Sequence, residues 1–219
     1  LGLDAFKLFK QRKMALFFIF SMFLGVSLQI TNGYANPFIS SFAAMPEYQD
    51  VYFVDHANLL ISLSQISETL CILLIPFFLK RYGIKRVMLI AMVAWAFRFG
   101  FFAIGNPSFP AVTWFILSMI VYGVAFDFFN ISGSLFVNNE TDSSIRSSAQ
   151  GLFMIMTNGI GASIGMLIAQ AVVNNFTYSQ EAGGQFYTVG EWPIVWGIFA
   201  AYALLVAIFF ALIFKEKNQ

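Results

Sequence analysis

Charged residues are scarce in this chain of 219 residues, at 11% of the sequence. Soluble domains usually carry about 25% charged residues because their surface faces water. Hydrophobic residues make up 59%, and 28 of the residues are phenylalanine. The composition therefore argues against a soluble protein and predicts a chain surrounded by hydrocarbon.

Cysteine and histidine are nearly absent. Cys71 is the single cysteine and lies in an apolar run, so a disulfide framework is excluded. His56 is the single histidine and has no second histidine or cysteine near it, so we interpret it as a solvated residue rather than a metal ligand. The net charge of +1 gives no reason to expect nucleic acid as a partner. We predict neither a metal site nor a cofactor.

The sequence contains several long apolar stretches with few charged residues. A helix needs about 20 mostly apolar residues to cross the hydrocarbon core of a membrane. Six segments meet that length, and helices satisfy their own backbone hydrogen bonds in lipid. We therefore predict that 1–219 form one all-α integral membrane domain of six transmembrane helices. The predicted spans are 14–36, 57–79, 87–105, 112–137, 150–173 and 193–214.

Lysine and arginine are missing from the loops at 38–56, 106–111 and 174–192, which carry only acids. All basic residues but one flank the opposite helix ends: Lys7, Lys10, Arg12, Lys13, Lys80, Arg81, Lys85, Arg86, Arg146, Lys215 and Lys217. Loops rich in lysine and arginine stay in the cytoplasm. We therefore predict a multi-pass protein with both ends of the chain on the cytoplasmic side.

Three ionisable residues lie inside the predicted spans: Glu68, Arg98 and Asp127. Such residues are costly in hydrocarbon and are functional candidates by default. Each lies about 15–18 Å from the cytoplasmic end of its helix, so the three can form one cluster near the midplane. The least costly state pairs Arg98 with one carboxylate and keeps the other carboxyl protonated. This arrangement suits a proton-coupled transporter, and a salt bridge that only ties helices together is the alternative.

Polar and aromatic residues recur at helical spacing in three of the predicted helices. The stripes are Gly25, Gln29, Asn32, Gly33 and Asn36, then Ser62, Gln65, Glu68 and Thr69, then Tyr122, Phe126, Phe129 and Asn130. Asp127 lies about 140° around its helix from Tyr122. We interpret Glu68 as a cavity residue and Asp127 as a coupling residue that faces a neighbouring helix. Simple packing is the alternative for the aromatic stripe.

The fifth predicted helix contains two glycines four residues apart, Gly161 and Gly165. This spacing predicts close approach to another helix. Asn158 lies one turn earlier and belongs either to the cavity or to an interhelical hydrogen bond.

Four strings of residues resemble the C-terminal half of bacterial nucleoside:proton symporters, within the major facilitator superfamily. They are QISETL at 65–70, KRYGIKR at 80–86, YGVAFDFFNISGSLFV at 122–137 and RSSAQGLFM at 146–154. The resemblance covers nearly the whole chain, as helices 7 to 12 of a twelve-helix fold. The basic string departs from the superfamily pattern because Lys80 stands at an acidic position.

The resemblance implies half of a major-facilitator fold, built from two three-helix units in the bacterial inner membrane. It implies a nucleoside site lined by Gln29, Asn32, Gln65, Glu68, Tyr122 and Phe126. Amides match the edge of a base, a carboxylate holds ribose hydroxyls, and aromatic rings stack on the base. The N-terminal six-helix half would supply the other wall, membrane lipid would surround both halves, and the proton is the implied coupling ion.

The leading hypothesis is one half of a secondary transporter for proton-coupled nucleoside uptake. A non-transporting membrane subunit is the alternative, as is a major-facilitator half for another small polar substrate such as a sugar. An enzyme is not expected, because the sequence shows no serine–histidine or paired-aspartate arrangement.

Overall fold

The computed structural model of the chain describes residues 2–214. Its α-helices are α1 (Arg12–Ser41), α2 (Tyr52–Asp55), α3 (Ala57–Ile104), α4 (Val112–Glu140), α5 (Arg146–Met154), α6 (Ala162–Phe176) and α7 (Trp192–Ile213). Two strands, β1 (Thr177–Ala182) and β2 (Gln185–Gly190), precede α7. Short 3₁₀-helices cover Gly2–Lys10, Phe42–Ala44 and Pro46–Tyr48, and a π-helical segment at Ile155–Gly161 joins α5 to α6.

Five helical stretches among the described residues are long and apolar enough to cross a membrane. They correspond to α1, α3, α4, the continuous run of α5 and α6, and α7. The predicted helical membrane domain is therefore supported. The second and third predicted spans, 57–79 and 87–105, both lie within the 48 residues of α3.

Helix α3 is broken at Gly83, where φ is 75° and ψ is 170°. This backbone region is almost restricted to glycine, because a Cβ atom is strained there. The break divides α3 into a first segment, 57–82, and a second segment, 84–104. Lys80, Arg81 and Lys85 flank the break and are exposed or partly exposed, as the predicted basic loop requires.

Aromatic side chains fill much of the core. The ring of Phe38 on α1 lies 5.3 Å from Trp192 and 5.4 Å from Trp196 on α7, measured between centroids. Trp196 in turn packs 4.8 Å from Phe102 on the second segment of α3. The three ring pairs are tilted at 47–60° and join α1, α3 and α7.

Helix α1 crosses the π-helical segment and α6 with their backbones in direct contact. A Cβ atom added to Gly25 would overlap with the carbonyl group of Thr157, and one added to Gly161 would overlap with the carbonyl oxygen of Met22. One added to Gly165 would lie 2.8 Å from the Cα atom of Val26. The predicted close approach at Gly161 and Gly165 is thereby confirmed, and α1 is the partner.

Different side-chain contacts are found at the two ends of the bundle. At one end, Lys13 at the start of α1 donates a hydrogen bond of 2.5 Å to Glu140 at the end of α4. At the other end, Gln180 of β1 donates to the carbonyl oxygen of Ala44, at 3.5 Å. The start of α1 and the end of α4 therefore lie at the same end of the bundle. The basic residues Lys215 and Lys217, which were predicted to follow the last helix on the cytoplasmic side, lie outside the described residues.

The antiparallel hairpin of β1 and β2 departs from the all-α expectation. Thr177 pairs with Gly190 and Ala182 with Gln185 across the two strands. The turn is made by Gly183 and Gly184, whose φ angles of 59° and 77° are those of a tight hairpin turn. Two glycines at this position allow the hairpin because they adopt positive φ without strain.

Candidate functional site

A cavity of about 360 Å³ lies between α1, both segments of α3 and α4. Pockets for small molecules are typically about 300–1,000 Å³. The lining residues are Thr31, Asn32, Ala35, Asn36, Asn58, Ile61, Ser64, Gln65, Glu68, Arg98 and Tyr122. The structure thus brings together four of the six predicted substrate residues, Asn32, Gln65, Glu68 and Tyr122, and adds Arg98.

Helical spacing directs the polar side chains of α1 and α3 to this cavity. Asn32 and Asn36 are one turn apart on α1, while Asn58, Gln65 and Glu68 follow one face of the first segment of α3. Asn32 and Gln65 are exposed, and Glu68 is partly buried. Asn36 and Asn58 are exposed as well, so four amides and one carboxyl group are accessible from the cavity.

Two predicted substrate residues lie apart from this wall. Gln29 is partly buried on α1 and is not among the residues that line either cavity described here. Phe126 lines a second cavity of about 20 Å³, together with Asn130 and Thr157. The rings of Tyr122 and Phe126 are parallel within 3°, and their centroids are 5.8 Å apart. Tyr122 lines the larger cavity and Phe126 lines the smaller one, so the stacked pair lies between the two cavities.

Arg98 is only 3% exposed and is held by neutral groups. Its Nε atom donates to the hydroxyl of Thr31 at 2.8 Å, and Nη1 donates to the carbonyl oxygen of Ser118 at 2.7 Å. The guanidinium carbon lies 4.4 Å from the ring centre of Tyr122, which is a cation–π distance. Arg98 therefore fixes the Tyr122 ring and places a positive charge in the cavity wall.

Arg98 was expected to pair with one of the two carboxylates, but it forms a salt bridge with neither Asp127 nor Glu68 in this structure. Within residues 2–214, the salt bridges join Lys7 to Asp4 and Lys13 to Glu140. The reason is geometric. Gly123, one turn before Asp127 on α4, packs so closely on Ser67 that an added Cβ atom would lie 2.7 Å from it. Asp127 thus follows the face of α4 that meets the first segment of α3.

Asp127 is 7% exposed and lines neither of the two cavities. Its Oδ2 atom is buried and has no hydrogen-bond partner in the part of the chain that is described. A buried carboxylate oxygen without a partner is costly when it is charged, and a proton removes most of that cost. The angular position predicted from the sequence, off the Tyr122 face and toward a neighbouring helix, agrees with this geometry.

Some polar residues that line the cavity or bind Arg98 were not predicted from the sequence. Asn58 lies two turns before Gln65 on the same face, so its spacing was a usable signal. Thr31 and Ser118 carried no such signal, because hydroxyl groups in helices commonly bond to their own backbone. Asn158 is exposed on the π-helical segment, 4.0 Å from the sulfur of Met154, and does not line either cavity.

Comparison with known proteins gives a consistent result over the whole chain. The nucleoside H⁺ symporter family matches residues 1–219. The xanthosine permease of Escherichia coli (strain K12) is 54% identical over 219 residues, which are 100% of this chain and 50% of the permease. The nucleoside permease NupG of the same organism is 51% identical over 218 residues, again 100% of this chain and 50% of the permease.

Solved structures agree with the sequence relatives. A crystal structure of the nucleoside transporter NupG superposes with a TM-score of 0.87 at 52% identity, covering 99% of this chain and 52% of that one. A crystal structure of a NupG mutant gives a TM-score of 0.89 at 52% identity, covering 98% and 52%. The chain therefore spans about half the length of the proteins it matches.

Proposed function

The chain belongs to the nucleoside H⁺ symporter family, and on that basis we propose that it forms one half of a proton-coupled nucleoside transporter. Its relatives are about twice its length. A second set of helices would therefore supply the facing wall of the cavity. Substrate sites between two halves of a transporter, near the membrane midplane, are the general pattern for such folds.

The observation that carries the proposal is the 360 Å³ cavity with amides, a carboxyl, a guanidinium and an aromatic ring in one wall. A nucleoside presents complementary groups: a base with hydrogen-bond donors and acceptors, a flat ring and ribose hydroxyls. Asn32 and Gln65 offer amides to the base edge, Glu68 accepts from ribose hydroxyls, and Tyr122 offers a ring face. Gln29 and Phe126 join this site at its margins, since each lies about one helical turn from a lining residue.

Glu68, Arg98 and Asp127 form the proposed proton-coupling network. In this structure Arg98 contacts neutral groups, and Asp127 has a buried oxygen without a partner. This state suits a protonated Asp127, because a charged one would be uncompensated. Loss of that proton would create a buried negative charge, which Arg98 could meet by leaving Thr31. Arg98 and Asp127 would then pair in another state of the transport cycle.

We further propose six membrane crossings, with α3 contributing two of them on either side of the Gly83 break. The chain then forms two three-helix units of a half major-facilitator fold, and both of its ends face the cytoplasm. The basic residues at one end of the bundle support this orientation. The bacterial inner membrane is the location that this orientation and the bacterial relatives suggest.

Binding of radiolabelled uridine by the intact transporter tests the proposal. Glu68→Gln and Gln65→Ala are expected to weaken binding by at least about tenfold, or about 1.4 kcal/mol. Glu181→Gln and Gln185→Ala make the same chemical changes on the hairpin and should bind as the unsubstituted protein does. If the intact protein binds no nucleoside, a membrane subunit without transport function is favoured. If all four variants bind normally, the cavity is not the site.

A further inference from the structure

The 3₁₀-helix Gly2–Lys10, here called the N-terminal segment, has three distinct faces. A 3₁₀-helix has three residues per turn, so residues three apart lie above one another. The faces are a buried row of Ala5 and Leu8, a charged row of Asp4, Lys7 and Lys10, and an apolar row of Leu3, Phe6 and Phe9. The segment packs against α5. Its buried row therefore needs no further partner, whereas the apolar row does.

The apolar row contacts the core at Phe9 and is exposed at Phe6 and Leu3. The ring of Phe9 lies 5.3 Å from that of Phe18 on α1, and the ring of Phe6 stacks on Phe9 at 6.4 Å. Beyond them the row is open, because Phe6 is 51% exposed and Leu3 is 68% exposed. Water is a poor environment for two large apolar side chains in one row.

Positive charges flank this open row. Lys7 donates a hydrogen bond of 2.7 Å to Asp4, which lowers the pKa of that carboxyl and neutralises the pair. Lys10 and Arg12 are exposed and make no side-chain hydrogen bond to any other described residue. Arg12 is the first residue of α1. Two uncommitted cations thus lie where the apolar row meets the first membrane-spanning helix.

We propose that the N-terminal segment is a membrane-surface anchor selective for anionic phospholipid. Leu3 and Phe6 insert between acyl chains, and Lys10 and Arg12 bind the negatively charged headgroups. An apolar row combined with basic residues is the combination that holds helices in the plane of a membrane surface. The charges favour lipid over a protein partner, since a cytoplasmic leaflet supplies negative charge along the whole row. The cytoplasmic placement rests on the orientation proposed above.

Spin labels on Leu3→Cys and Phe6→Cys of the intact transporter in nanodiscs test the insertion. The background is the unsubstituted protein carried through the same labelling. The anchor predicts that molecular oxygen reaches both labels while a water-soluble nickel complex does not. Access by nickel would place the row in water, and access by neither reagent would mean that protein covers it. Either of these results overturns the proposal.

The effect of lipid charge is measured with the same spin label on Phe6→Cys. Replacing part of the phosphatidylcholine in the nanodiscs by phosphatidylglycerol is expected to move the label deeper and slow its motion. Lys10→Gln combined with Arg12→Gln should weaken this preference for anionic lipid about tenfold or more. Lys80→Gln combined with Arg81→Gln removes equal charge at the α3 break and should leave the label unchanged. No response to phosphatidylglycerol, or equal losses in both double variants, contradicts headgroup binding. Nucleoside transport is not measured here, so the outcome is independent of the proposed function.

Discussion

Arg98 shows how a buried positive charge is kept among neutral groups. Its contacts to Thr31, to the carbonyl oxygen of Ser118 and to the Tyr122 ring replace part of the hydration that burial removes. None of these partners is charged, so the guanidinium stays available to a carboxylate in another state. The same contacts orient Tyr122 toward the cavity. In the proposed transporter, charge compensation and substrate recognition would therefore be linked through one side chain.

Phe126→Leu in the intact transporter is expected to weaken nucleoside binding roughly fivefold, or about 1 kcal/mol. Leucine keeps the hydrophobic volume but removes the ring face that is parallel to Tyr122. Equilibrium binding of radiolabelled nucleoside measures the change. Phe97→Leu is the matched control, because Phe97 is exposed on α3 and does not line the cavities. Normal binding by Phe126→Leu would assign the aromatic stripe to packing alone.

The crossing of α1 with the π-helical segment depends on glycine. Gly25→Ala is expected to lower stability by about 1–3 kcal/mol, because the added methyl overlaps with the backbone of Thr157 and forces the helices apart. Thermal unfolding of the purified intact protein in detergent provides the measurement. Gly100→Ala is the control, since a Cβ atom there meets nothing within 4 Å. Equal unfolding temperatures for the two variants would argue against this helix crossing.

The break in α3 depends on glycine for a different reason. A Cβ atom at Gly83 also meets nothing within 4 Å, so any cost of Gly83→Ala comes from the backbone conformation alone. That cost is expected to be about 1–3 kcal/mol. Gly151→Ala on α5 has equal space and a helical backbone, so it should be neutral or slightly stabilising. The same thermal measurement compares them, and a neutral Gly83→Ala would mean that a continuous helix is tolerated.

Helices could be predicted from the sequence because apolar length is a strong signal. Helix α4, Val112–Glu140, extends only three residues beyond its predicted end at 137. The hairpin was not predicted, although Gly183 and Gly184 were a signal for it. Its strands are short and polar at many positions, so they lack the alternation that marks a half-buried strand.

The cavity could be predicted in part, for reasons that differ between residues. Gln65 and Glu68 follow helical spacing on a single helix, which a sequence displays directly. The partners of Arg98 lie on α1 and α4, so the choice of Thr31 and Ser118 over Asp127 depends on how three helices pack. The contact between Gly25 and Thr157 on the π-helical segment likewise joins residues far apart in sequence, so local spacing could not predict it.

The whole transporter is expected to work only with two halves around one cavity. The wall described here carries polar groups from α1, α3 and α4 and is open on one side, as Asn32 and Gln65 are exposed. A facing wall would enclose the substrate and exclude water. In the proposed transporter the proton gradient would act through Asp127, which is buried and lines neither of the two cavities.

Transport by Asp127→Asn in proteoliposomes therefore tests proton coupling most directly. The variant is expected to bind nucleoside and exchange it across the membrane at normal levels, because Asp127 lines neither cavity. It should fail to accumulate nucleoside when an inward proton gradient is imposed, since asparagine cannot carry the proton. Asp142→Asn, the same change at an exposed loop position, should accumulate normally. Retained exchange with lost accumulation supports the account, and accumulation by Asp127→Asn at the unsubstituted level contradicts it.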